Sequence, residues 1–564
     1  MIELVVVFIA FFAFSCGGSA EDVPLERDDF DGFPEEALEE CEGNTVSYKK
    51  PELPEKPEIA EMKKYDKNYD CFPLPVPENG KLILGDGCFS GCIKAEKQLF
   101  ISGNGSENTL IVCNDEENQA VIEVAPNVEI TLENVSLSGK VRCVFAGNGS
   151  RTVVKNSVLS HCTKGGINIC PYESGCRADL TVIDSFIADI DEAVSGISYG
   201  ISFGNGNLSI SGSEISGVNS FGIAVWGETG NLNRINIENS AITGVYGGLR
   251  SYEGHGFYAE NSAEITIKNT SVSDTATSFV FVSSESDEIN LKLIDFNAEN
   301  MLETIEEQGG IVLDGRVKGC FERVSIENSR GNGVFSRGAV LYAEDMTVRS
   351  VFSDGLGENG FALQLVDGSE TFIKRLSVNS AEKAGVLLDG ACSADIEDFE
   401  ILSTKSDSYL HEFGVGAAIQ NGAAAAMKNG LFSENRETGI LAVSADISLE
   451  NVEIKNTLPR KCSETESCVF APKTDFGHGI SLYSSSLLRF DSIILFNNNN
   501  GLNIADSEIR SFGSKKMSFE NNTTAVNAWN INDFSGLEES FSNSSFCGND
   551  SVFTSETQPV REGL

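Results

Sequence analysis

Apolar and polar positions alternate along most of the chain, in two recurring phrases. One reads apolar, spacer, Asn or Asp, two residues, apolar, as in Ile237-Glu238-Asn239-Ser240-Ala241-Ile242. It returns as Leu132-Glu133-Asn134 with Leu137, Val154-Lys155-Asn156 with Leu159, Ile267-Lys268-Asn269 with Val272, Leu449-Glu450-Asn451 with Ile454 and, shifted by one, Ile183-Asp184-Ser185 with Ile187. The other phrase starts on glycine: Gly222 to Trp226, Gly310 to Asp314, Gly338 to Tyr342, Gly360 to Gln364, Gly385 to Asp389, Gly439 to Val443, Gly479 to Tyr483 and Gly501 to Ala505. Period two predicts strands, and a repeat in the twenties predicts one coil of a parallel β-solenoid; the 3.6 period of a helical solenoid is missing. Each coil would send alternate residues into a shared core and pair in parallel with the next coil. Asn or Asp suits the bend between strands, because both tolerate the left-handed region and bond nearby backbone. Stacked copies can also bond one another along the axis.

With that pattern laid out, the repeats resemble the right-handed parallel β-helix of the pectin-lyase-like superfamily. The stretch Leu82-Ile-Leu-Gly85-Asp-Gly87-Cys-Phe89, followed by Leu99-Phe-Ile-Ser-Gly103-Asn-Gly and Thr109-Leu-Ile111, is similar to the first coil of many such proteins. The resemblance spans residues 79 to about 545. It implies an all-β, single-stranded solenoid of roughly fourteen coils, and says nothing specific about chemistry.

A chain of 564 residues would ordinarily split into several domains, but a solenoid grows coil by coil. Residues 1–15 read as an export signal, with an apolar run from Leu4 to Ala13. Ala13-Phe14-Ser15-Cys16-Gly17 resembles a bacterial lipobox, which makes Cys16 the expected lipidation site. Residues 16–60 are acidic, then proline-rich (Pro51, Pro54, Pro57), the composition of a disordered tether. An N-terminal cap and first coils follow at 61–119, the β-helix at 120–545 and a frayed tail at 546–564. The chain is therefore expected to be exported and anchored in the outer membrane or at the cell surface, with simple secretion the alternative.

The formal net charge of −43 argues against nucleic acid as a partner and against membrane contact other than through a lipid anchor. The same field repels polyanionic polysaccharides unless calcium bridges them. No cofactor is expected, calcium being the one cation the charge leaves open, and no resident metal site is read. Fifteen cysteines, or fourteen without Cys16, favour disulfides after export. Cys88 and Cys92 read as disulfide-forming rather than metal-binding, since no His-x3-His partner follows. Cys170 with Cys176 and Cys462 with Cys468 each bracket a short polar loop and are the expected pairs. Cys320 and Cys392, three coils apart, cannot bridge each other and read as buried free thiols.

If Ile223 and Val225 point inward, Trp226 points out. Carrying that register along the coils lines up Trp226, Glu260, Val282, Asp314, Tyr342, Gln364, Asp389, Gln420, Val443, Tyr483 and Ala505 about 4.8 Å apart. Aromatics among carboxylates and amides suit a sugar-binding groove, so Trp226, Tyr342, Gln364, Asp389, Gln420 and Tyr483 are the candidate ligand contacts. A companion column of Val312, Val340, Ala362, Leu387, Ala418 and Leu441 is apolar and needs covering by a loop or a partner. For catalysis the candidates are Glu260 and Asp314, two coils or roughly 9.6 Å apart, with Arg250 near Trp226. Gly254-His255-Gly256 and Gly477-His478-Gly479 resemble the Gly-His-Gly of polygalacturonase-like glycosidases. That family's Asn-Thr-Asp, paired Asp and Arg-Ile-Lys motifs are missing, so both histidines read as turn residues. Insertions at Asp189–Ser198, Glu299–Gln308, Thr404–Phe413 and Asn456–Phe476 are where function would gather. The reading is a non-catalytic surface protein that binds a polysaccharide or a surface protein. The alternative is a polysaccharide lyase or glycoside hydrolase.

Overall fold

A computed structural model describes residues 71–554 apart from 171–174, 191–196, 248–252, 303–308, 355–356, 358, 409–412, 460–475, 512–516, 530–540 and 542–543. Contacts divide the chain between Glu40 and Cys41, and all described residues belong to the second unit. The export signal, Cys16, the tether, Arg250, Cys462 and Cys468 lie outside the described residues.

Every named strand of the second unit joins one sheet system, with parallel pairing from coil to coil. The middle of the stack shows the plan. A coil opens with a short strand, ladder 1, such as Phe361–Val366, Ala384–Asp389, Val415–Gln420 or Thr438–Val443. It bends into a longer strand such as Glu370–Ala381, Ser393–Leu402, Ala424–Ser433 or Asp446–Lys455. A single left-handed residue, Arg375, Asp398, Asn429 or Asn451, kinks that strand into ladders 2 and 3. The chain is thus the all-β parallel solenoid that the two phrases imply.

The asparagine phrase is the kink itself. Asn239, Asn269 and Asn451 have φ of 49°, 45° and 56°, a region open to short polar side chains. They stack as expected: Asn269 Nδ2 donates to Asn239 Oδ1 at 2.7 Å, and Asn451 to Asn429 at 3.0 Å. The residue after the kink adds a ladder that the sequence reading overlooked. The backbone N–H of Ser157 donates to Ser185 Oγ at 3.2 Å, that of Ser185 to Ser213 and that of Ser213 to Ser240. Each hydroxyl so placed satisfies a buried amide of the preceding coil. The glycine phrase has a steric cause: a Cβ at Gly222 would lie 2.5 Å from the carbonyl oxygen of Gly256 in the next coil.

Parallel pairing begins at Phe72–Pro73 with Gly87–Ser90, inside the expected cap and first coils, and Ser551–Thr554 pairs with Thr524–Trp529, so pairing continues to Thr554 within the segment read as a tail. Four disulfides staple the early coils: Cys71–Cys88, Cys92–Cys113, Cys143–Cys162 and the expected Cys170–Cys176. Cys320 is corrected from a free thiol to a disulfide, its partner lying outside the described residues.

Cys392 is free and buried, donating to the carbonyls of Leu365 and Asp389. Burial pushes its thiol up to about 11 from 9.0. A folded value above the unfolded one means that this thiol's contribution to stability is intact below pH 9 and is lost as pH rises toward 11. At pH 8 iodoacetamide is expected to label exposed Cys547 and to spare Cys392 until the protein unfolds, which peptide mass mapping would read. Rapid native labelling of Cys392 would contradict this placement.

Candidate functional site

The outer face of ladder 1 carries two columns of side chains, and their register corrects the expected one at Val282, Tyr342, Gln364 and Val340. Trp226 pairs with Glu260, Glu260 with Ser283, Ser283 with Asp314, Asp314 with Arg337, Arg337 with Val366 and Val366 with Asp389. Val282 is a core residue, one position from the outward Ser283. Tyr342 belongs to the outer face of ladder 2, between Cys320 and Phe372, because Gly338 sits at a bend and does not open a ladder 1 strand. Gln364 falls in the companion column, between Phe335 and Leu387, because Gly360 stands two residues before the position that Gly385 holds in the next coil. Val340 likewise moves to ladder 2.

Burial divides this face in two. From Leu387 onward it is covered within the chain itself: Leu387, Ala418 and Leu441 form a second apolar cluster with Phe361, Val415 and Tyr483. That answers the need for a cover over the companion column. It also removes two expected ligand contacts from solvent, since Gln420 is 2% and Tyr483 4% exposed. Tyr483 accepts a bond from Asn503 at 2.7 Å, and burial pushes its hydroxyl up to about 12.

Between Trp226 and Asp389 the face is open. Tyr258 and Phe281, neighbours in the companion column, stack at 5.2 Å and 9°, and Trp226 leans on Tyr258 at 5.0 Å. Behind them Tyr199 stacks on Phe221 and Phe221 on His255, packing that fixes the exposed rings. Small Ala224 leaves room for the rings to close around it. Trp226, Tyr258 and Phe281 are all half-buried. Polar groups continue the strip. Tyr258 donates its hydroxyl to Glu260, Ser283 donates to Asp314 at 3.4 Å, and Arg337 grips both oxygens of Asp314 at 2.8 Å. Gln364 accepts from Asn332 at 2.7 Å and Asp389 from Asn421 at 2.6 Å, so the end of the row opposite Trp226 is held in place. Trp226 to Asp389 spans six β-spacings, roughly 29 Å.

Of the catalytic candidates, Glu260 and Asp314 do lie two coils apart, with Ser283 between. Each is engaged by a neighbour, Glu260 by Tyr258 and Asp314 by Arg337. His255 and His478 are buried as the first residues of ladder 1 strands, inside the strand rather than at the turn expected before it. No group of three or more His, Cys, Asp or Glu among the described residues is placed to hold a metal ion. The four expected insertions fall at one bend, between ladder 3 and ladder 1, and each includes residues outside those described.

The sequence reading missed Tyr258, Phe281, Phe335 and Arg337. The signal was present in Phe257-Tyr258-Ala259-Glu260, where Tyr258 stands two residues before an outward Glu260 and must share its face.

Residues 290–458 match the family described as right handed beta helix region, which agrees with the coils seen here. No curated protein matches. Among solved structures the chain is similar to the catalytic domain of GH87 alpha-1,3-glucanase in complex with nigerose, at 11% identity and a TM-score of 0.25, covering 84% of this chain and 64% of that one. It is also similar to the Azotobacter vinelandii mannuronan C-5 epimerase AlgE4 A-module, at 10% identity and a TM-score of 0.20, covering 77% and 90%. The chain thus spans a little under two thirds of the glucanase domain. Likeness at this level carries none of the neighbours' chemistry to this chain.

Proposed function

We propose that the open strip from Trp226 to Asp389 binds an extended neutral polysaccharide at the cell surface and leaves it unaltered. The observation that supports this reading is the half-exposed Trp226, Tyr258 and Phe281 floor continued by a row of fixed polar groups, the pairing of apolar surface and oriented hydrogen bonds that a sugar ring needs. Neutrality follows from the charge of −43, which repels polyanions. A non-catalytic role is favoured because Glu260 and Asp314 are spent on Tyr258 and Arg337. Disulfides in the early coils suit an exported protein, in keeping with anchoring through Cys16.

A panel of soluble polysaccharides in affinity electrophoresis should retard the wild-type protein with at least one neutral member. Trp226→Ala with Tyr258→Ala should weaken that binding about thirtyfold or more, the loss of one strong anchor of roughly 2 kcal/mol. Tyr342→Ala, on ladder 2, should leave it unchanged. An anionic chain is expected to bind only when calcium is supplied. Reducing ends or unsaturated sugars appearing in the incubation would establish a hydrolase or lyase instead. Retention of a surface protein but of no glycan would move the strip to protein recognition.

A further inference from the structure

We infer, on the reading of the strip as a glycan site, that it is built for a sugar bearing an acetyl group, which Gln364 recognises through its amide N–H. The oxygen and nitrogen of an amide are told apart by what each one bonds, and a chain of four residues decides this for Gln364. Asp354 is buried, and its carboxylate, which can only accept, takes a hydrogen bond from Asn359 Nδ2 at 2.8 Å. Asn359 therefore turns its oxygen to Asn332, whose Nδ2 donates to it at 3.4 Å.

Asn332 is wholly buried and is fixed independently at its other end. Its Oδ1 accepts from the backbone N–H of Phe361 at 3.3 Å and of Gly360 at 3.5 Å. The second Nδ2 hydrogen of Asn332 goes to Gln364 Oε1 at 2.7 Å. Both anchors, the Asp354 carboxylate and the Phe361 amide, impose the same orientation. The oxygen of Gln364 is thus engaged within the protein, and what its side chain can give a ligand is the Nε2 donor. Asp354 and Asn332 are positioning residues, and Gln364 is the one that touches the ligand.

Around that donor the strip is apolar. Gln364 stands between Phe335 and Leu387 in its column, with Val366 beside it on the same strand. The two charged residues on its diagonals are engaged elsewhere, Arg337 with Asp314 and Asp389 with Asn421. Phe335, Gln364 and Val366 are half-buried, so each keeps surface for a ligand. A hydroxyl placed here would meet a donor but no adjoining acceptor for its own proton, and would lose a hydrogen bond on leaving water. An acetyl group brings a carbonyl that only accepts, suited to Gln364 Nε2, and a methyl suited to Phe335 and Val366.

Two matched pairs of neutral glycans test this by calorimetric titration. One sets N-acetylglucosamine oligomers against cello-oligomers, which share a backbone; the other sets O-acetylated glucomannan against the same glucomannan after saponification. The acetylated member of at least one pair is expected to bind about tenfold tighter, the worth of one oriented hydrogen bond. Which pair responds tells an N-acetyl from an O-acetyl group. Gln364→Glu, which keeps the shape and removes the donor, should bring the two members of that pair level by weakening only the acetylated one. Asp354→Asn, which lets the amide chain reverse, should shrink the preference; a merely structural role would weaken both members alike. Equal binding within both pairs, or a preference that survives Gln364→Glu, would overturn the assignment and leave the strip a glycan site. Failure of every neutral glycan to bind would remove the glycan site as well. The wild-type comparison stands even where a variant fails to fold.

Discussion

Replacing Phe399 with alanine is expected to cost about 3–5 kcal/mol, the range for emptying a buried aromatic site. Phe399 is 2% exposed and pairs with Gly430 in the next coil of ladder 3. Its ring occupies the space that a Cβ on Gly430 would need, and it packs edge-on against Phe432 at 5.1 Å. Phenylalanine and glycine thus form one complementary unit, large in one coil and small in the next. Gly430→Ala alone should cost about 1–3 kcal/mol by overpacking. With Phe399→Ala already in place the same change should cost nothing or restore stability, since the added methyl then enters a void. Hydrogen exchange is the suitable readout, because each coil touches only its neighbours and the loss should concentrate between about residues 376 and 454. Additive costs in the double variant would contradict this packing.

Replacing Arg323 with methionine should cost a similar amount, about 3–5 kcal/mol, for an electrostatic reason. Arg323 holds the left-handed kink between ladders 2 and 3, with φ of 54°. Its Nε and Nη2 donate to both oxygens of Asp295 at 2.5 and 3.0 Å, and Nη1 donates to Glu322. The hydrogen bond to Asp295 is the main reason its guanidinium is held protonated even more firmly than usual. Asp295 and Glu322 are 5% and 8% exposed, so methionine would strand two buried carboxylates. Adding Asp295→Asn should recover part of the cost in denaturant titrations. No recovery would show that lost packing, not charge, is responsible.

The solenoid was legible in the sequence because its constraints are local and repeated. Period two, an amide at each kink and a glycine where the next coil's carbonyl comes close all leave marks within six residues. Register was less legible. Gly338 and Gly360 look like coil starts, yet one serves a bend and the other falls two residues before the position that Gly385 holds in its coil. Nothing local distinguishes them from Gly310 or Gly385; only pairing across coils does, and a slip of two keeps the alternation intact. For that reason Trp226, Glu260, Asp314 and Asp389 were placed correctly while Tyr342 and Gln364 were not. The covering of Leu387 through Leu441 likewise depends on chain distant in sequence, so Gln420 and Tyr483 read as surface when they are interior. The pairing of Asp314 with Arg337 is hidden because the bend residue Gly338 reads as a coil start, which puts Tyr342 where Arg337 stands.

The proposal that the open half of ladder 1 is the binding surface is tested most directly by hydrogen exchange with and without a saturating neutral polysaccharide that retards the protein. Protection should rise in residues 255–260, 278–284, 309–314 and 332–337 and stay level in 340–344 and 370–374. Protection confined to ladder 2, or no change anywhere, would contradict it.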